Sequence, residues 1–322
     1  MRPAFLVMDK PPGLTSHDVV AIVRAVTGVK KVGHTGTLDP FASGVLPLAL
    51  GKATRFIRFL DEELKIYDAT IQLGASTTTG DPEGEILREA PIPSLEGVDE
   101  VLAGFEGDRM QTPPAYSAVK VAGRALYKYA REGKKVEVKA RPIRIFSMRR
   151  LDQGEDWLRV EIQCSRGTYA RVLADDIATA FGSAGHLCAL RRLRSGPFGL
   201  DEALDLPGLS TIVAGIPDWE RVLRRTRGEE RVQWRPRDEV VSELEVRARF
   251  LLEVLSHLPR TPVAQNECER VIRGDLLPPP PPGVGTGERY LAVYQDRVLA
   301  VGESDGRIGK CLLSVGEGHR GR

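Results

Sequence analysis

The segment Gly33-His34-Thr35-Gly36-Thr37-Leu38-Asp39-Pro40, running on through Ser43-Gly44-Val45-Leu46-Pro47, decides how the rest of the chain is read. Glycine and proline crowd it, so the backbone bends tightly and approaches some other group closely. The proline after Asp39 biases that residue toward an extended backbone and restricts the direction of its side chain. On local grounds Asp39 equally suits a turn cap, a common use of aspartate before proline. Two familiar signatures fail here. Gly44 and Gly51-Lys52 are separated by six residues and followed by Ala53, which is not the spacing of a phosphate-cradling loop. Gly33 stands two positions before Thr35-Gly36-Thr37, where the phosphorylated loop of cation-pumping ATPases carries its aspartate.

Upstream of this loop, residues 4–8 predict a short buried strand closed by the Asp9-Lys10-Pro11-Pro12-Gly13 turn. Ser16 then suits a helix N-cap, with Val19, Val20, Ile22, Val23 and Val26 at helical spacing up to Gly28. Downstream, residues 67–73 and 158–164 predict strands, and a helix follows from about residue 169 to 181. Helices and strands do not alternate regularly. That favours an α+β domain with a mixed, largely antiparallel sheet over a doubly wound parallel one.

The character changes after residue 205. Residues 218–253 carry nine Arg and nine Asp/Glu, residues 246–258 are amphipathic, and residues 278–282 are five consecutive prolines. A short helix over 266–273 and strands over 290–293 and 298–301 predict a small β-rich module. The expected division is therefore 1–205, a charged helical connector at 206–258, and the module at 259–316. A length of 322 residues agrees with roughly two domains.

Composition narrows the class. At 42% hydrophobic, 28% charged and a net charge of +2, the chain reads as an ordinary globular protein. Residues 120–172 concentrate 14 Lys/Arg against 6 Asp/Glu, the footprint of a polyanion-binding face or of a solvated surface. Five apolar residues between Arg2 and Asp9 are too few for a signal peptide, and no apolar run is long enough to cross a membrane. Cys164, Cys188, Cys268 and Cys311 are widely spaced, which argues against a zinc site or a disulfide framework. A cytoplasmic monomer without a metal is the expectation.

Seven separated segments belong together: Asp9-Lys10-Pro11-x-Gly13-x-Thr15-Ser16; Gly33-His34-x-Gly36-Thr37-Leu38-Asp39-Pro40; Lys65-x-Tyr67; Gln111-x-Pro113-Pro114-x-Tyr116-Ser117-Ala118-x-Lys120; Arg141-Pro142-Ile143; Cys164-Ser165-x-Gly167-Thr168-Tyr169-x-Arg171; and Arg191-Arg192-Leu193-Arg194-Ser195-Gly196-x-Phe198. Their order resembles that of the TruB family, the tRNA pseudouridine(55) synthases, over about residues 4–200. The resemblance implies a catalytic domain of pseudouridine synthase type, with residues 259–316 looking like the PUA-type RNA-binding appendage of many members. It implies isomerisation of the uridine at position 55 in the TΨC loop of tRNA. The N1–C1′ bond breaks, the base turns, and C5 bonds to C1′.

By that resemblance Asp39 is the catalytic carboxylate, whether it attacks the base, attacks C1′ or removes a sugar proton. Arg171 is its cationic partner, which keeps an enclosed carboxylate charged. Tyr67 stacks on a flipped-out base, His34 fills the vacated place, and Tyr169 and Leu193 line the pocket. Lys10, Lys120, Arg191 and Arg192 read as RNA-binding or fold-supporting positions, and the basic stretch 120–172 as a lining of the cleft for the T-arm and elbow. No cofactor is implied, since electrons and water stay out of the reaction. A non-catalytic RNA-binding protein and a guide-RNA-directed synthase are the rivals. The TruB-like segment between residues 75 and 139 speaks against a guide.

Overall fold

The computed structural model describes residues 2–61, 64–134 and 136–316. A ten-stranded mixed sheet is its frame. From one edge eight of its strands run Arg249–Phe250, Ala4–Lys10, Ser43–Leu50, Gly185–Ser195, Leu64–Leu73, Trp157–Ser165, Arg141–Gln153 and Gly107–Gln111, while Val32–His34 pairs with Ser43–Leu50 and Phe198–Gly199 with Gly185–Ser195 off this path. Along this path the neighbours are antiparallel, except that Ser43–Leu50 lies parallel to Gly185–Ser195. These two strands meet at Gly44. A Cβ on Gly44 would fall 2.2 Å from the Arg192 carbonyl oxygen, so the close approach foreseen for this loop is to the chain's own next strand.

Strands Ala4–Lys10 and Ser43–Leu50 are apolar on both faces because both faces are covered. Leu6, Met8, Leu46 and Leu48 pack beneath the helix Ser16–Thr27, while Phe5, Val7, Val45 and Ala49 face the other way. That helix begins one residue earlier than expected. Thr15 is its N-cap, in a reciprocal capping box with Asp18, and Gly28 closes it in the left-handed conformation.

Residues 206–258 are not a connector. Helices Leu206–Ala214, Trp219–Thr226 and Arg237–Arg247 bury Leu209, Ile212, Val222, Val240 and Leu244 in the same core as the first helix. Their charged residues pair among themselves, Arg221 and Arg224 with Glu230 and Arg235 with Glu243. The amphipathic stretch expected over 246–258 is broken, because Arg249–Phe250 joins the sheet beside Ala4–Lys10. Only the short helix Leu251–Val254 follows it.

The C-terminal module is a four-stranded sheet, Arg260–Pro262, Arg289–Tyr294, Arg297–Ser304 and Gly309–Ser314, with the helix Cys268–Arg273. The proline run is tied down by the buried Tyr290 hydroxyl, which donates to the Pro278 carbonyl at 2.7 Å. The module also shares a core with the large sheet. Leu291, Val298, Val301 and Leu313 pack with Phe5, Phe56, Phe59 and Phe198. Arg55 donates to the Ser314 and Gly316 carbonyls at 3.2 and 3.1 Å, and Arg58 to that of Leu312 at 3.0 Å.

Candidate active site

Asp39 sits on the loop between the strands Val32–His34 and Ser43–Leu50, over the central strands. The loop is fastened from beneath. Ser16 Oγ donates to the Leu38 carbonyl at 3.0 Å and accepts the Leu38 amide at 2.8 Å, so the residue next to Asp39 is held on both sides. Lys10 is fully buried, and its ammonium donates to the carbonyls of Pro11, Leu14 and Pro40 at 2.9, 2.6 and 3.1 Å. Burial pulls its pKa from 10.5 to about 8, against the opposing pull of the Asp39 charge. The Lys10→Met chain leaves three carbonyls without their donor and is expected to lose about 3 kcal/mol of stability. A urea denaturation midpoint equal to that of the wild type would contradict this.

Arg171, in the first turn of the helix Ala170–Ala180, lies over this loop and is 7% exposed at its side chain. Its Nε meets Asp39 Oδ2 at 3.0 Å. Its Nη1 donates to the Thr79 carbonyl at 2.8 Å and lies 3.5 Å from Asp81 Oδ2, and its Nη2 donates to the Tyr116 carbonyl at 2.8 Å. One guanidinium therefore joins two carboxylates and two separate loops. Asp39 keeps 34% side-chain exposure, as a group at a cavity wall does. Burial raises its pKa above the usual carboxylate value, with Arg171 pulling it down and the Asp81 charge pushing it up.

The cavity beside Asp39 measures about 450 Å³, the size of a small-ligand site. Tyr67 lines it from the strand Leu64–Leu73, directly opposite Arg192 in the sheet, and Lys65 lines it two residues earlier on the same face. Burial raises the Tyr67 hydroxyl pKa while the Arg192 charge draws it down. Tyr169 lines the wall beside Arg171, its backbone clasped by Gln111, whose side chain accepts its amide at 2.7 Å and donates to its carbonyl at 3.1 Å. Ser117, Ala118 and Val119 close another side. His34 lies at the loop's entry, its ring edge-on to His17 at 5.4 Å between centroids. Burial lowers its pKa, helped by the charges of His17 and Arg192, so its ring is neutral at physiological pH.

Several expected positions fall elsewhere. Leu193 does not line the cavity; Leu190 and Arg192 do, because alternate residues of the strand share a face. Lys10 and Arg192, expected to bind RNA or support the fold, are both enclosed and spent on backbone carbonyls. Arg192, 2% exposed, donates to the carbonyls of Val45, Gly36 and Thr37 at 2.7, 3.1 and 3.3 Å. Arg191 is half-exposed and paired with Asp9 at 2.6 Å. Lys120 stays exposed on a hairpin next to Val119. The basic stretch is not one free cationic face, because Arg144, Arg149, Arg150 and Arg159 meet Asp108, Glu161, Asp99 and Asp68. Sequence reasoning passed over Asp81, Gln111 and Ser16 as site-shaping residues. Asp81 lies in a Thr-rich turn that reads as ordinary loop, and only the fold brings it to Arg171. Among the described residues no grouping of His, Cys, Asp and Glu has the arrangement of a metal site.

Residues 24–170 match the model of the TruB family pseudouridylate synthase N-terminal domain. A "tRNA pseudouridine synthase B" of Aromatoleum aromaticum is 39% identical over 306 residues, covering 94% of this chain and 88% of the relative. Another of that name from Francisella philomiragia is 48% identical over 210 residues, covering 64% of this chain and 70% of the relative. Among solved structures, a chain of a Cbf5-Nop10-Gar1 complex aligns with a TM-score of 0.66 at 24% identity, over 97% of this chain and 84% of that one. At that identity the structural likeness speaks for the fold.

Proposed function

The chain belongs to the TruB family of pseudouridylate synthases and isomerises uridine in tRNA; from that premise we propose that its target is the uridine at position 55 of the TΨC loop, flipped into the cavity beside Asp39. The observation that carries this reading is the Asp39–Arg171 pair at 3.0 Å on the wall of a cavity of about 450 Å³. Oδ2 of Asp39 is engaged by Arg171, and no described residue hydrogen-bonds Oδ1, which leaves that oxygen for the nucleotide.

The reaction exchanges one bond for another. The N1–C1′ bond breaks, C5 bonds to C1′, the hydrogen at C5 leaves as a proton, and N1 takes one up. An ionised carboxylate held against the nucleotide serves this exchange, and Arg171 keeps it ionised at the cavity wall. A base stacked in RNA is out of reach, so it must leave its stack at a cost of a few kcal/mol. Tyr67 supplies a flat ring to receive it. The neutral ring of His34 suits the vacated place better than a charged one would. Lys120, exposed beside the cavity wall, supports a contact with the T-arm and elbow. The C-terminal module acts as a PUA-like second RNA contact, and the enzyme works in the cytoplasm as a monomer without a guide RNA.

The test uses unmodified tRNA transcript and purified protein with chelator present and no added RNA, cofactor or metal. Pseudouridine mapped by position is expected at the TΨC-loop uridine. Product at another uridine, or a requirement for a second RNA, overturns the assignment of target and partner.

A further inference from the structure

Four basic side chains line the cavity beside Asp39, namely Lys65, Arg166, Arg171 and Arg192. Three are committed to the protein. Lys65 is buried and donates to Ser195 Oγ at 2.9 Å. Arg171 spans Asp39, Asp81 and the carbonyls of Thr79 and Tyr116. Arg192 is spent on three carbonyls of the Asp39 loop and the neighbouring strand. Arg166 differs. It is exposed, and no ion pair or hydrogen bond joins its side chain to any described residue.

Its backbone is nevertheless well placed. Arg166 lies in the turn joining the strand Trp157–Ser165 to the helix that carries Arg171. Gly167 follows at φ +88°, and Thr168 Oγ1 closes the turn by donating to the Ser165 carbonyl at 2.9 Å. Tyr169, next in the chain, is clasped by Gln111. A guanidinium with free donors thus stands on a rigid turn at the cavity, while the cation deeper in is already balanced by two carboxylates.

We infer that Arg166 is the phosphate clamp of this cavity, gripping a phosphodiester that flanks the flipped uridine. The inference rests on the function proposed above and adds a substrate contact to it. A nucleotide entering the cavity carries a phosphate on each side, and these stay at the mouth because the RNA strand continues outward from them. A guanidinium fork matches two phosphate oxygens and fixes direction as well as distance. Holding that phosphate positions the sugar, and with it C1′, against Asp39. The contact reads no base, so it leaves the choice of uridine to the folded loop.

The experiment pairs wild type, Arg166→Ala and Arg166→Lys with a TΨC-arm hairpin RNA. The hairpin is made with all phosphates, or with one uncharged methylphosphonate on the 5′ or the 3′ side of the target uridine. On the all-phosphate hairpin Arg166→Ala is expected to raise KM about tenfold with kcat within about twofold, and Arg166→Lys to recover part of the loss. The slope of log KM against log salt becomes shallower by about one. One of the two methylphosphonate hairpins should weaken wild type by the same factor and leave Arg166→Ala unaffected. Losses that simply add in both hairpins, or an unchanged KM, overturn the clamp. The same cycle is read in parallel as Kd by filter binding. Wild type that makes no pseudouridine on the all-phosphate hairpin therefore sinks the proposed function while the clamp is still decided.

Discussion

Asp39→Asn protein is expected to bind tRNA within about threefold of wild type and to make no measurable pseudouridine, a loss on the order of 10^4-fold or more in turnover. The amide keeps the size of the carboxyl, and Arg171 retains Asp81 and the Thr79 and Tyr116 carbonyls as anchors, so the site stays assembled. What disappears is the negative charge on which the proposed bond exchange depends. The same substitution should leave the fold as stable or more so. Burial raises the Asp39 pKa in the folded state, so the ionised form is the one the fold disfavours. That unfavourable contribution is absent below the unfolded pKa near 3.8 and sets in as pH rises through the higher folded value. The variant's Tm should therefore match or exceed that of wild type near neutrality, with the gap closing as pH falls toward 4. Residual turnover near wild type would remove Asp39 from the chemistry, and a clear fall in Tm at neutral pH would remove the strain argument.

Arg171→Met carries the second large effect. It leaves the Asp39 and Asp81 carboxylates facing each other without their cation and orphans two carbonyls, at a cost of about 3–5 kcal/mol. Protonation relieves part of that cost, so the deficit should be largest near neutral pH and shrink on acidification. Removing the cation also takes away the main influence that lowers the Asp39 pKa. The acid limb of the pH–activity profile should consequently move to higher pH, and turnover near neutrality should fall by about 10^2-fold or more. Arg171→Lys restores a charge but cannot reach Asp39, Thr79 and Tyr116 together, so it should recover stability better than activity. Unfolding curves and pH–rate profiles of the three proteins check this. An unshifted acid limb in Arg171→Met would mean that the guanidinium does not tune Asp39.

Much of the frame was legible because it rests on local pattern. The valines of the first helix and the alternation in residues 67–73 and 158–164 mark elements that the structure extends by only a few residues. Two of the four strands of the C-terminal module were read the same way, while Arg260–Pro262 and Gly309–Ser314 were not. Features that depend on which side a residue faces were not legible. Register in Gly185–Ser195 is shifted between Leu187 and Ala189 and again between Arg192 and Arg194, and such irregularities leave no trace in composition. Leu193 was placed on the cavity by the resemblance alone, and the register that the structure shows puts Leu190 there instead. Charge left two readings open for the same reason: Lys10 and Arg192 read as RNA-binding or fold-supporting, and each serves carbonyls that the bent Asp39 loop leaves without partners, which is the second of these. Residues 206–258 looked like a linker because their charges dominate the text, while the few apolar positions that join the core are scattered among them.

The joint between the catalytic sheet and the C-terminal module has a geometric consequence. Phe56, Phe59 and Phe198 lie inside a core to which both parts contribute, and Arg55 and Arg58 occupy carbonyls on the module's last strand and just beyond it. Swinging the module away would expose those rings and strip those carbonyls together, so the two parts move as one body. Any point on the module therefore keeps a constant distance from Asp39. On the proposed reading, in which the module is a second RNA contact, an RNA that touches both parts must already span that fixed gap or be bent until it does, so its length and shape would be gauged before any base.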